Sequence, residues 1–365
     1  MSVVITSYNY ERYLRATIDS ALNQTYRNTE VIVVDDGSTD SSPEIIASYG
    51  DSITAVLREN GGEAAASRSG LDASRGEIVL FLDSDDLLDP AAVRRLVQEW
   101  RPGTVKAHFY LRAIDGLGRP RGYRLPNIDF VSEGELQQCL FRYGYYPSPP
   151  TSGNAYARTF LLAVLPESVC DWTNGIDGYL NGLAPLHGSI VQIATELGSY
   201  RVHDRNMSAW TKLSVERLRE GMLREIERER AIIAHAAARA IAIRGSLVAN
   251  IPAHCKARIL SLRLDRATHP VAGDTLVRLF AMGVASAWRF PHMRLRKRVI
   301  ASAGMAALLV LPRRWIERWM HVLFVAEQRP SAGDLARMVT AAAAARARAA
   351  LGWSLAALDP SRLIE

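Results

Sequence analysis

Through residues 1–210, short apolar runs alternate with longer amphipathic stretches. Val3 to Thr6 reads as a buried strand, and Glu11 to Gln24 then places Leu14, Ile18, Ala21 and Leu22 on one helical face. Val31 to Val34 is a second strand. A helix opens at Ser42-Pro43, where serine caps and proline suits the first helical position. Asn60-Gly61-Gly62 is a turn, Glu63 to Ser74 has helical composition, and Glu77 to Leu82 is another strand. Asp89-Pro90 starts a helix that faces Val93, Leu96, Val97 and Trp100 inward. Strand and helix in strict alternation predict an α/β unit, Rossmann-like, with a mainly parallel sheet flanked by helices.

The pattern then changes twice. Val105 to Arg124 reads as two strands around Asp115-Gly116, and Tyr143 to Ser152, rich in proline and aromatics, reads as a loop. Strand pieces follow at Ser189 to Ile193 and near Tyr200 to His203. Beyond Asn206 everything is helical in propensity, so the chain divides into residues 1–210 and an all-helical C-terminal region, 211–365. Its longest apolar stretch, Val299 to Leu311, falls short of the roughly 20 residues a spanning helix needs.

Charge sharpens this division. Residues 1–210 hold 18 Lys+Arg against 26 Asp+Glu, and residues 211–365 hold 26 against 12, so a net −8 is followed by +14. The basic half calls for an anionic partner or for solvated arginines that bind nothing. Cys139, Cys170 and Cys255 are too few and too scattered for a disulfide framework, which fits a reducing, cytoplasmic compartment. Met1 precedes the first strand with no room for a signal peptide, so secretion is not expected.

The chemistry lies where two buried strands end. Val31 to Val34 runs into Asp35-Asp36, and Ile78 to Leu82 into Asp83-Ser84-Asp85-Asp86. In parallel sheets ligands sit beyond the carboxyl ends of the strands, so both clusters are expected at one rim. Carboxylates gathered there repel one another, which predicts a cation between them; a hard divalent ion carrying phosphates is the simplest candidate. No Gly-x-x-x-x-Gly-Lys or Gly-x-Gly-x-x-Gly stands beside a strand, which leaves phosphate binding to a metal and to arginines.

Five segments in this order resemble the inverting, family-2 type of glycosyltransferase with its nucleotide-sugar-binding GT-A fold: Val4 to Asn9, Asp35 to Asp40, Asn60 to Leu71, Leu82 to Asp86 and Tyr200 to His203. Two positions depart from the family pattern, Thr6 in place of proline and Ala66-Ser67-Arg68-Ser69 in place of Ala-Arg-Asn. The resemblance implies that Tyr8 stacks beside uracil, that Asp36 accepts from the base, and that Arg68 meets the diphosphate. It also implies Asp83 on the ribose or the metal shell, with Asp85 and His203 as ligands to Mg²⁺ or Mn²⁺. Strand alternation would let Asp83 and Asp85 address one donor together.

The same resemblance places the base for the acceptor hydroxyl at Asp177, with Asp171 as its rival, and an acceptor-side loop at Pro149 to Asn154. The reading is of an enzyme that uses a UDP-sugar donor and a glycan or lipid-linked acceptor in cell-surface polysaccharide assembly. Arg289, Arg294, Arg296, Lys297 and Arg298, near Trp288, Trp315 and Trp319, suit a helix at an anionic membrane on its cytoplasmic face. A helical cap accounts for them equally, and no nucleic acid is called for. Two other classes compete: a phosphoacceptor receiver, which would need Lys106 at a strand end near the aspartates, and a noncatalytic adaptor on the same scaffold that binds membrane or RNA.

Overall fold

The computed structural model describes residues 1–165, 175–203, 206, 214–289 and 293–317. They fall into two compact units, the first within residues 1–206 and 228–245, the second within residues 214–227 and 246–317.

The first unit is built on a nine-stranded sheet. Strands β1 (Ser2–Ser7), β2 (Glu30–Asp35), β3 (Thr54–Leu57) and β4 (Ile78–Asp83) pair in the order β3-β2-β1-β4, all parallel. Helices α1 (Glu11–Leu22), α2 (Ser42–Ala47) and α3 (Glu63–Ala73) make the crossovers. β1, β2 and β4 are almost wholly buried, which is why they read as continuous apolar runs rather than alternating ones.

Past β4 the expected parallel sheet turns mixed. After the short β5 (Leu87–Leu88) and helix α4 (Ala92–Glu99) come β6 (Thr104–Asp115) and β7 (Pro120–Leu125), the hairpin expected around Asp115-Gly116. Helix α5 (Leu136–Tyr143), strand β8 (Asn154–Ala157) and helix α6 (Arg158–Val164) follow. β8 runs antiparallel between β4 and β6. Four residues behind a proline-rich lead carry too little periodicity to announce a strand. After helix α7 (Ile176–His187), the two pieces expected at 189–193 and 200–203 form one strand, β9 (Ser189–Val202), parallel to β6 with three shifts of register. Those shifts break its alternation, and with it the signal of a single element.

Gly70 sets how closely α3 lies on the sheet. A methyl group there would run into Val4 Cγ1 and come within 3.2 Å of Val34 Cγ2. Gly70→Ala is therefore expected to destabilise the first unit by about 1–3 kcal/mol. Urea denaturation checks this; an unchanged midpoint would mean that α3 can shift at no cost.

The long elements in the described part of the C-terminal region are all helices: α8 (Val215–Ala237), α9 (Pro252–Leu264), α10 (Leu276–Arg289) and α11 (Leu295–Val310). α8 gives residues to both units, those from Arg228 onward to the first. Leu260, Leu264, Leu279, Met305 and Leu308 form the core of the second unit. The helix expected at 332–351 lies outside the described residues. Among these, no helix is long and apolar enough to cross a membrane.

Candidate active site

The register of the parallel strands assembles the site. Ser7 at the end of β1 lies opposite Asp35 at the end of β2, and Thr6 lies opposite Asp83 at the end of β4. Both carboxylate clusters thus meet at the rim beside β1.

The first cluster is held by backbone donors. The Asp35 carboxylate accepts from Ser38 N–H at 3.0 Å and caps the turn that follows β2. Asp36 is buried and accepts from Gly61 and Gly62 N–H, at 3.1 and 2.7 Å, and from the Arg58 guanidinium. Gly62 has φ +86°, which a residue with a Cβ rarely adopts, so the glycine pair places both amides on one carboxylate. Nothing in the sequence marked Arg58: it is a lone arginine in a loop. Asn9 has a positive φ of 59° and ties the Tyr8 segment to this loop, its Oδ1 accepting from Thr39 N–H at 2.7 Å and its N–H donating to Ser38 Oγ at 2.9 Å. Tyr8 itself stays 47% exposed.

The second cluster sits in a turn. β4 stops at Asp83, and Asp86 N–H donates back to the Asp83 carbonyl at 3.0 Å, so strand alternation does not carry on to Asp85. The turn sends its side chains to different partners instead. Asp85 Oδ2 lies 2.8 Å from His203 Nε2 and accepts from Asn206 Nδ2 at 3.2 Å. Asp86 accepts from Ser152 Oγ at 2.6 Å and from Arg201 N–H at 2.8 Å. Arg201 Nε also donates to the Asp85 carbonyl at 2.7 Å, Thr17 Oγ1 donates to the Ser84 carbonyl at 2.9 Å, and Asp83 N–H donates to Ser152 Oγ at 3.1 Å. The 149–154 loop therefore buttresses this turn. It is itself closed by Asn154 Nδ2, which donates to the carbonyls of Pro149, Pro150 and Thr151.

Burial, and then repulsion among the clustered carboxylates, holds both Asp83 and Asp86 well above the usual carboxylate range. For Asp83 the repelling charges are Asp86, Glu63, Asp85 and Asp177, so Asp177 comes within electrostatic reach of the donor-side cluster. A divalent cation would relieve this repulsion. Asp85 and His203 fit one: the oxygen and the nitrogen, 2.8 Å apart, are both ordinary ligands to Mn²⁺. No group of three or more such side chains stands ready to hold an ion among the described residues. The ring of His203 packs on Tyr13, centroids 4.9 Å apart, and Arg201 covers the same tyrosine at 4.8 Å.

The remaining expected residues make other contacts or lie outside the described residues. Arg68, on α3, directs its guanidinium to Asp72 one turn on and to the Leu165 carbonyl at 2.8 Å. Asp177 lies in the first turn of α7, where a helix stabilises a carboxylate, and accepts from Gly178 N–H at 2.7 Å. Just before it, Gly175 N–H donates to Glu63 of α3 at 2.8 Å. Asp171 lies outside the described residues. Lys106 is at the amino end of β6, level with Val79 at the start of β4, and is fully buried. It donates to Tyr146, Ser148 and Asn181. A receiver would need it at the opposite end of the sheet.

The second unit holds a serine, a histidine and an aspartate in hydrogen-bond series. His269 Nδ1 lies 3.0 Å from Ser261 Oγ and its Nε2 3.0 Å from Asp274. Ser261 is fully buried and accepts from Arg219 Nε at 3.0 Å, so its hydroxyl is a packing group and not a nucleophile.

Residues 2–154, which carry both carboxylate clusters, match the model of glycosyl transferase family 2. These residues belong to this family. Over 211 residues, 56% of this chain, it is 34% identical to an uncharacterized glycosyltransferase of Nostoc sp.. Over 239 residues, 62% of this chain, it is 40% identical to glycosyltransferase GlyA of Streptococcus pneumoniae. The matched stretches span 66% and 34% of those two proteins, less than two thirds of either. Among solved structures, that of S. aureus TarS 1-349 in complex with UDP-GlcNAc gives a TM-score of 0.49 at 16% identity, covering 97% of this chain and 92% of that one. Within the family-2 domain, the strand ends and glycine turns carry the polar side chains, as the sheet topology requires.

Proposed function

We propose that this chain is an inverting glycosyltransferase that moves a sugar from a nucleotide-sugar, a UDP-sugar, to a hydroxyl of a glycan or lipid-linked acceptor in cell-surface polysaccharide assembly. The observation that carries the reading is the meeting of Asp36, Asp83, Asp85 and His203 at one rim of the family-2 domain. Tyr8 stacks on the base, and Asp36, pre-set by Arg58 and two backbone amides, accepts the ring N–H that uracil has and adenine lacks. Asp83 takes the ribose. Asp85 and His203 would hold Mg²⁺ or Mn²⁺, whose positive charge would favour departure of the diphosphate. On the acceptor side, Asp177 takes the proton of the attacking hydroxyl as its oxygen bonds to the anomeric carbon. The bond from that carbon to the diphosphate oxygen breaks, and UDP leaves on the opposite face. Arg68, bonded as it is to Asp72 and Leu165, reaches the diphosphate only by giving up one of these bonds.

The test is a panel of UDP-, GDP- and other nucleotide-activated sugars, assayed for hydrolysis with Mn²⁺ and with chelator. Hydrolysis of one donor that needs the metal supports the reading. Binding without hydrolysis of any donor would favour the noncatalytic adaptor.

A further inference from the structure

Helices α10 and α11 pack together in the second unit, each burying one face, with Leu279, Gly283 and Ala287 on the first and Met305, Ala307 and Leu308 on the second. Their opposite faces are also apolar. On α10, Val277 is 77% and Trp288 46% exposed. On α11, Leu295 (65%), Val299 (44%) and Val310 lie along one exposed stripe at helical spacing. The Trp288 indole donates to Ser302 Oγ at 3.1 Å and joins the two stripes.

The charge around this surface has a single sign. Between Asp274 and Glu317 the chain contains no Asp or Glu, and it contains eight Arg or Lys. A water-facing helix usually mixes both signs with i,i+4 pairs, and neither α10 nor α11 can form one. Arg294, Arg296 and Lys297 are exposed at the start of α11, where the positive end of the helix dipole disfavours cations. Helix stability does not explain them, and an anionic partner does. That partner must also cover leucine, valine and tryptophan. Nucleic acid satisfies the cations and leaves the aliphatic side chains in water; a bilayer with anionic headgroups satisfies both.

We propose that this face of α10 and α11 docks on an anionic lipid bilayer. The proposal deepens the transferase reading by naming the place where its acceptor resides, a lipid-linked glycan at that surface. Vesicle binding needs no turnover, so failure of one reading is distinguishable from failure of the other. The experiment floats the full chain with vesicles of phosphatidylcholine, with and without phosphatidylglycerol, at about 0.1 M and about 0.5 M salt. The protein is expected to float with the anionic vesicles only, and to be released by salt. Arg296→Glu with Lys297→Glu, and separately Leu295→Glu with Val299→Glu, should each weaken flotation by about tenfold or more while metal-dependent donor hydrolysis is unchanged. Absence of flotation, or flotation undiminished in both double variants, overturns the proposal. So does loss of a homodimer in either variant with flotation intact, which makes a second copy the occupant, or retention on RNA in place of vesicles.

Discussion

Replacing Asp85 by asparagine is expected to abolish Mn²⁺-dependent UDP binding and to cut transfer by about 10²- to 10³-fold while the protein stays folded. The argument starts from what the side chain touches. Asp85 is buried against His203 and Asn206, and it adds to the repulsion that drives Asp83 and Asp86 toward their protonated forms. Removing one negative charge relieves that repulsion, so the melting temperature should hold or rise, as happens where a binding site is kept at the expense of stability. The same change removes the carboxylate placed next to the His203 ring. Calorimetric titration with UDP, with and without Mn²⁺, separates the effects: an affinity equal to wild type in both conditions would remove Asp85 from the metal. A fall in affinity without metal as well would assign Asp85 to the nucleotide directly.

Asp177→Asn should leave donor affinity unchanged and lower transfer by about 10²- to 10⁴-fold. Asparagine keeps the size of the side chain, and its carbonyl oxygen can still accept from Gly178 N–H in the first turn of α7. What is lost is the negative charge, and with it the capacity to take a proton. Asp177 stands among the charges that act on Asp83 and on Lys106. Single-turnover transfer beside a UDP titration reads the two quantities apart. Near wild-type transfer would hand the role of base to Asp171 or to the substrate itself.

How far the sequence foretold this site depended on the kind of bond each residue makes. Asp36, Asp83 and Asp85 were visible because each follows a run of buried strand residues, and burial on both faces leaves an unbroken apolar signature. The glycines at 61 and 62 were visible as a turn, although their service to Asp36 was not. Arg58, Ser152 and Arg201 had no such signal: they reach the carboxylates from a loop, a 3₁₀ turn and the far end of β9, over separations of 22, 66 and 115 residues. Only the closed sheet brings those segments together. The alternation argument for Asp83 and Asp85 ended with the strand itself, since a turn replaces the pleat after Asp83. In the fold, the parallel half followed from the order of elements. The mixed half did not, because β8 is four residues long and β9 changes register along its length.

Lys106 carries a thermodynamic consequence of its own. Burial among neutral oxygens pushes its ammonium well below the ordinary value of 10.5. From that lowered value up to 10.5, the unfolded chain holds a proton that the folded one has given up, so protonation linkage adds stability as the solution grows more alkaline. Below the lowered value the ammonium stays charged in its dry site, and the penalty is carried in full. Native protein should therefore resist denaturant better at alkaline than at neutral pH by a margin that Lys106→Met erases, and equal slopes for the two proteins would show that the lysine titrates as if in water. One buried side chain thus makes a contribution to stability that grows toward base.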